Sequence, residues 1–452
     1  MRHIARHCTL TAMKRWVLVS SIVAGVLASP ASAQPKPDAL AKLLARTDEV
    51  AKEVAKIRGL PLKRKIPNEV VDRDELRKRL ITMAGEDKTK AETAAEGLGL
   101  ARWGMVPRAT NYEALLLDLL TEQIAGYYDP ETKKLTISTS AGDDATWAEL
   151  VLAHEIDHGL QDQAFDLKKF EDVPDGEDDA AAARRALVEG DGIALMLEVM
   201  LKRNGVPVPW SNPQMTDAIE KAMGVPGNGD SLDKAPVAIR EALIFPYRAG
   251  FTFVAALRRR QPWSAVDAAF RKPPSSTEQI MHPERYLAGD EPVGVAIGTL
   301  SALTGFTVAH TTVWGELGFQ LFLRAHGVDA ATATEAAAGW GGDRTIVLAK
   351  PGDTRSHMAV GVSRSEWDSE ADAIEAHEAA VKALDAAIAG SVLEHTRTRT
   401  RWMSVEGNVS WVERKGPSIL MVHGAPVWAA ESLLTEAWVM SKSKVTPAKR
   451  KR

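Results

Sequence analysis

Apolar residues recur near helical spacing from Asp38 to Arg58 (Leu40, Leu43, Leu44, Val50, Val54, Ile57), and RGLPLKRKIP then breaks the pattern with two prolines. A helix followed by an extended connection is expected there. The same periodicity predicts helices over 72–84, 88–101 and 111–126. The last of these runs into AGYYDPETKKLTIS, where DPET reads as a turn and the alternation of Leu135 and Ile137 with polar neighbours as a strand from Lys134 to Ser138. It is the only convincing strand ahead of the next helix. Further helices are expected at about 144–163, 178–203, 235–258 and 308–325, separated by stretches rich in Pro, Gly and Asp. Beyond GWGGDR (339–344) the pattern changes, and TIVLAK, MAVGVS, NVSWVE and SILMVH are short β-like runs around a helix at 367–388. The expected fold class is α+β and predominantly helical, with a main unit over 34–345, a small α+β unit over 346–440 and a basic disordered tail over 441–452.

The N-terminal stretch MKRWVLVSSIVAGVLASPASAQ couples Lys14 and Arg15 to an apolar run from Trp16 to Ala28 and an ASA stop. It reads as a secretory signal over residues 1–33, with Met13 as a second candidate start, and predicts a secreted or periplasmic protein without an integral membrane segment after cleavage. Composition is that of a globular chain: 452 residues, 45% hydrophobic and 26% charged. The single cysteine, Cys8, lies in the predicted signal, so a mature chain has no disulfide and no thiol nucleophile. Removing 1–33 also removes four basic residues and leaves 52 basic against 60 acidic side chains, which argues against a nucleic-acid partner. The chain contains neither a GxSxG nucleophile elbow nor, in GWGGDR, a phosphate-loop lysine. A tight turn beside a packed Trp340 accounts for the latter.

The candidate chemistry lies in LAHEIDHGLQDQ (152–163). On a helix, positions i and i+4 share a face, so His154 and His158 can direct both imidazoles at one metal ion. Glu155, about 100° round from His154, stands beside that centre as a general base rather than a ligand. Trp147, Leu150 and Val151 share the histidines' face, unlike the pattern of a merely polar helix surface. The metzincin extension is absent, because Gln161 and Ala164 occupy its glycine and histidine positions. Downstream, AARRALVEGDGIALMLEVML is an apolar helix interrupted by Glu189 and Asp191. Glu189 falls near one apolar stripe, where a cation explains a buried acid, and Ala186, Gly190 and Ala194 allow another helix to approach closely. An ion pair with Arg185 is the alternative for Glu189. Asp191 and Asp162 are candidates for orienting a histidine, with a solvated surface acid as the alternative for each. For an oxyanion donor, His282 is the first candidate, and Tyr127, Tyr128 and Tyr247 are its rivals. Arg285 and Arg344 can fix loops by pairing with acids.

The set EQIAGYYDPETKKLTI, LAHEIDHGLQDQ, RRALVEGDG, STEQIMHPERY, GELG and GWGGDR resembles a family of secreted, zincin-like bacterial proteins whose core is similar to gluzincin metallopeptidases. The resemblance spans about residues 55–345. It implies a zincin core with a small sheet, Zn2+ held by His154, His158 and Glu189, Glu155 as general base, and a peptide or protein as substrate. By analogy with zincins, KKLTIS is either the sheet edge along which an extended substrate pairs or an ordinary core strand. The competing expectations are a metal-stabilised binding or envelope-assembly protein, and a purely structural helical protein with a fortuitous motif. Oligomeric state has no signature in the sequence.

Overall fold

A computed structural model describes residues 18–19, 44–87, 89–123, 126–139, 145–222, 231–259 and 261–444. The elements that frame the site are, in chain order, Leu18–Val19 (β1), Thr47–Arg58 (α1), Asn68–Val71 (β2), Lys90–Arg102 (α2), Gly126–Asp129 (β3), Lys134–Ser138 (β4), Ala145–Phe165 (α3), Asp178–Arg203 (α4) and Val237–Arg258 (α5). The four strands form a sheet in the order β1-β3-β4-β2, with β2 parallel to β4 and the other pairs antiparallel. The fold is a mixed α+β fold. Most of the expected helices are met to within a few residues; the one expected over 38–58 runs Thr47–Arg58, and 38–43 lie outside the described residues. α2 starts at a capping box in which Thr89 and Glu92 satisfy each other's backbone N–H groups.

α3 is buried on all sides in its central turns. Leu152, Ile156 and Leu160 are fully buried, and burial of each contributes roughly 1.5–3 kcal/mol. α4 packs on α3 and, more closely, on α5. A Cβ on Gly190 would come within 2.1 Å of the Gly250 backbone, and one on Gly250 within 1.9 Å of the Ala186 carbonyl oxygen. Only glycine at the crossing allows this approach, as the small-residue pattern of α4 predicts.

The second unit begins earlier than expected. Val293–Ile297 (β5), Thr307–Thr312 (β6), Gly315–Ala325 (α6), Trp340–Ala349 (β7), Val360–Trp367 (β8), Glu370–Ala387 (α7), Gly390–His395 (β9), Arg399–Ser404 (β10), Asn408–Lys415 (β11), Ser418–Pro426 (β12), Ala430–Trp438 (α8) and Met440–Lys444 (β13) follow. Seven of these strands form an antiparallel sheet, β6-β7-β8-β12-β11-β10-β9. α7 covers one face through Ala373, Ala376, Ala380 and Leu384, and α8 covers the other through Leu433 and Ala437.

Several expectations are corrected. The expected boundary at 345 falls inside β7, and the sheet reaches back to β6. The stretch 308–325 is a strand and then a helix, because β6 is a largely exposed edge whose Thr-rich sequence shows no alternation of burial. β2 and β3 join β4 ahead of α3; β3 (GYYD) is short and almost wholly buried, so it has no two-residue pattern to detect. GWGGDR is not a tight turn: it opens β7 with an irregular register between Trp340 and Gly342. A Cβ on Gly342, at φ 157, would meet the Val293 carbonyl oxygen at 2.1 Å. The expected disordered tail is ordered as far as Lys444, since β13 pairs antiparallel with β5; residues 445–452 lie outside the described residues. Of the expected signal, Leu18–Val19 forms β1 against β3, and the other positions of 1–33 lie outside the described residues. Among the described residues no helix is long and apolar enough to cross a membrane.

Candidate metal centre

His154, His158 and Glu189 come together from α3 and α4, each at most 1% exposed. Nε2 of His154 lies 3.0 Å from Nε2 of His158 and 3.3 Å from Oε2 of Glu189, and the remaining separation, His158 Nε2 to Glu189 Oε2, is 3.6 Å. The rings stand nearly perpendicular, at 88°. Ligand atoms about 2.0–2.1 Å from a tetrahedral zinc ion are about 3.3–3.4 Å from one another. The observed triangle matches that edge length, so this buried group can hold a metal ion.

The electrostatics favour a cation. Burial pulls the His158 imidazolium down, but the charge and hydrogen bond of Glu189 outweigh it and push the group up to about 10. Burial raises Glu189, yet the charge of His158 and the hydrogen bonds of both rings hold it at about 2. His154 is lowered, with burial the largest influence. An ionised carboxylate between two imidazoles is thus neutralised by a proton on the rings, the place a divalent cation takes when it binds.

The supporting residues are mostly ones that spacing did not single out. Nδ1 of His158 bonds Oε1 of Gln161 at 2.9 Å. Since that oxygen only accepts, Nδ1 keeps its proton, and when a cation displaces the second proton the lone pair of Nε2 turns to the cluster. The Gln161 amide in turn donates to Asp157, the Val188 carbonyl and Asp191 at 3.0, 3.1 and 3.0 Å. Asp191 therefore acts one step further back than expected. It is gripped by the fully buried Arg58 of α1, at 2.8 and 3.0 Å through two nitrogens, and Arg58 also bonds Asp267 at 2.8 Å and lies over the Trp263 ring. Burial and the neighbouring Asp191 charge push Asp157 well above the usual carboxylate range. Behind His154, a Cβ on Gly192 would reach within 2.6 Å of the ring, so α4 presses its backbone against that imidazole.

Glu155 is fully buried next to this group, and its Cγ lies 3.7 Å from the Cβ position of Gly126, which places it between α3 and β3. Asp162 orients neither histidine; it accepts from the Tyr128 hydroxyl at 2.8 Å and pairs with Lys133 at 2.9 Å. Tyr127 packs with Val71, Leu76 and Leu80. His282 is held elsewhere, with Nε2 3.0 Å from the buried Glu316. Tyr247 is buried on α5, and after burial the charge of Glu189, and further that of Glu155, raises its phenol. The expected partner of KKLTIS is displaced too. β4 lies between β3 and β2 with both edges paired, so it is not the edge; the strand beside Glu155 is β3, and its outer side pairs with β1 in the register Leu18 to Tyr128 and Val19 to Tyr127. Arg285 and Arg344 do fix loops: the first pairs with Glu278, Asp290 and Asp368, the second with Glu177 and the Gly176 carbonyl.

Of these unforeseen residues, Gln161 alone was within reach of the sequence, because three positions on from His158 it shares the helix face. Arg58 and Asp191 are 133 residues apart and leave no local pattern. No curated protein and no solved structure matches the chain. Residues 304–434, from the approach to β6 into α8, match a family model described as a domain of unknown function (DUF8575), a stretch that contains the seven-stranded sheet and none of the ligand cluster.

Proposed function

We propose that the protein is a secreted or periplasmic, zinc-dependent metallopeptidase with a zincin-type core. The observation that carries this reading is the triangle of His154, His158 and Glu189 at tetrahedral edge lengths with Glu155 buried beside it. A zinc ion bound there supplies Lewis acidity to a peptide carbonyl and to water. Glu155 takes the proton from the attacking water and passes it to the leaving amine nitrogen. Tyr247 offers its hydroxyl to the oxyanion, the role first expected of His282. Gln161, backed by Asp191 and Arg58, keeps the His158 ring in one tautomer throughout. A peptide is the fitting substrate because the outer edge of β3 accommodates an extended segment, as its pairing with β1 illustrates.

The test is elemental analysis joined to peptide cleavage. Wild type and Glu155→Gln are expected to carry equal, stoichiometric zinc, while the variant loses roughly 10²–10⁴-fold in cleavage rate on a mixed peptide library. Absence of zinc from the wild type, or equal cleavage by both proteins, overturns the reading. Zinc without any cleavage by the wild type would turn it toward metal-stabilised binding.

A further inference from the structure

Among the stretches of the resemblance that supply no ligand atom to the cluster are STEQIMHPERY, GELG and GWGGDR. The first two reach a cavity of about 210 Å³ through Thr277 and through Leu317 and Gly318, and the strand that GWGGDR opens reaches it through Thr345 and Val347. The cavity lies where the helical body meets the seven-stranded sheet, between α2, the first turn of α4, α5, α6, β6 and β7. A dry apolar cavity of about 150 Å³ takes up a benzene-sized molecule, so this one has room for a ring with a short substituent.

Its chemistry has two parts. The walls are mainly apolar and include three aromatic side chains, Trp103, Trp314 and Tyr112. Besides the Tyr112 phenol, the ionisable groups are Glu96, Asp178, Asp179 and His310, and among the described residues no lysine or arginine lines the space. The acids also have structural tasks. Asp178 and Asp179 sit in the first turn of α4, and Asp179 accepts from the Thr277 backbone N–H and hydroxyl. Those tasks do not explain why acids and aromatic faces enclose a common space, a combination that attracts an organic cation through charge and through the ring quadrupoles.

We propose that this cavity binds a small organic cation with an apolar body, a primary amine carried on an aromatic or branched aliphatic group. The amine lies toward Asp178 and Asp179, and the apolar body lies against Trp103 and Trp314. Burial pushes Asp179 up to about 8, against the hydrogen bonds of Thr277, so an arriving ammonium ionises it and binding near neutral pH releases a proton. The same helix carries Glu189 ten residues further on, about 15 Å along its axis, so the occupant is a neighbour of the ligand-bearing helix and separate from the cluster itself.

Isothermal titration calorimetry of the full chain with 2-phenylethylamine, 2-phenylethanol and 3-phenylpropionate tests this, repeated in two buffers of different ionisation enthalpy. The amine is expected to bind at least ten-fold tighter than the alcohol, with a proton released, and the carboxylate to give no heat of binding. Asp178→Asn should weaken the amine about five-fold or more. Ala242→Trp, placed at the exposed rim, should block binding with the melting temperature and zinc content unchanged. Equal affinity for amine and alcohol, no heat with any of the three compounds, or amine binding unaltered in both variants overturns the proposal. Amine binding does not depend on zinc, so a chain without metal that binds the amine fails the peptidase reading and keeps this one.

Discussion

The seven-stranded sheet and the ligand cluster both bury charged side chains, and they neutralise them in different ways. In the sheet, Arg364 pairs with Glu366 two residues along the same strand at 2.9 Å, lies over the Trp438 ring, and donates to the Ile419 carbonyl, while Ser418 donates to Glu366. His423 stays neutral, its charged form suppressed first by burial and then by Arg102 and its other cationic neighbours. Each buried group there is balanced by residues close at hand. In the helical body, two imidazoles and a carboxylate converge on one point, and behind them a chain of contacts runs from Gln161 through Asp191 to Arg58 and Asp267. That network ends at a buried group of two imidazoles and a carboxylate that can hold a metal ion. A self-contained pair is a device of stability; a convergent one with ligand-edge spacing is a device for holding something.

This contrast can be broken most forcefully at its two buried arginines. Arg58→Ala leaves Asp191 buried without its partner and should cost roughly 3–5 kcal/mol by denaturant unfolding. Arg364→Ala should cost a similar amount through Glu366. Only the Arg58 variant should also lose zinc on dialysis, so equal zinc retention by both would erase the distinction. Tyr247→Phe should lower kcat about 10²–10³-fold at unchanged zinc content, against less than about three-fold for His282→Ala; the reverse ranking in steady-state assays would restore His282 to the site. Removal of zinc by a chelator should lower the unfolding midpoint of the wild type, corresponding to about 2.7 kcal/mol at a hundred-fold excess of free metal over Kd. Glu189→Ala, in contrast, should show no response to chelator in the same thermal scan. The smallest effect expected is that of Gln161→Ala, about 10–100-fold in zinc affinity by competition with a chromogenic chelator, because the His158 ring survives but loses its fixed tautomer.

The resemblances between sequence pattern and fold divide along the same physical line. Where one element suffices, the chain is legible. The four-residue step from His154 to His158 sets both rings on one face whatever surrounds them, and Glu189 betrays itself as an acid in an apolar stripe. Helix spans such as Asp178–Arg203 follow from periodicity over many turns. Where the answer depends on what an element meets, the pattern falls silent. KKLTIS reads as an edge or a core strand, since whether β4 or β3 is the edge depends on which strands pair beyond each, and β6 reads as helix because an exposed edge strand carries no alternation of burial.

The local chemistry of this protein was therefore decided by its sequence: two histidines one helical turn apart, a glutamate beside the first, and a second helix with small residues and a buried acid. Only the tertiary structure set His282 on Glu316, placed Arg58 behind Asp191 and brought Thr277, Leu317 and Thr345 to one cavity. Backbone geometry within a helix repeats every few residues and is written in composition, whereas contacts across 133 residues depend on how whole helices pack, which no short window of sequence contains.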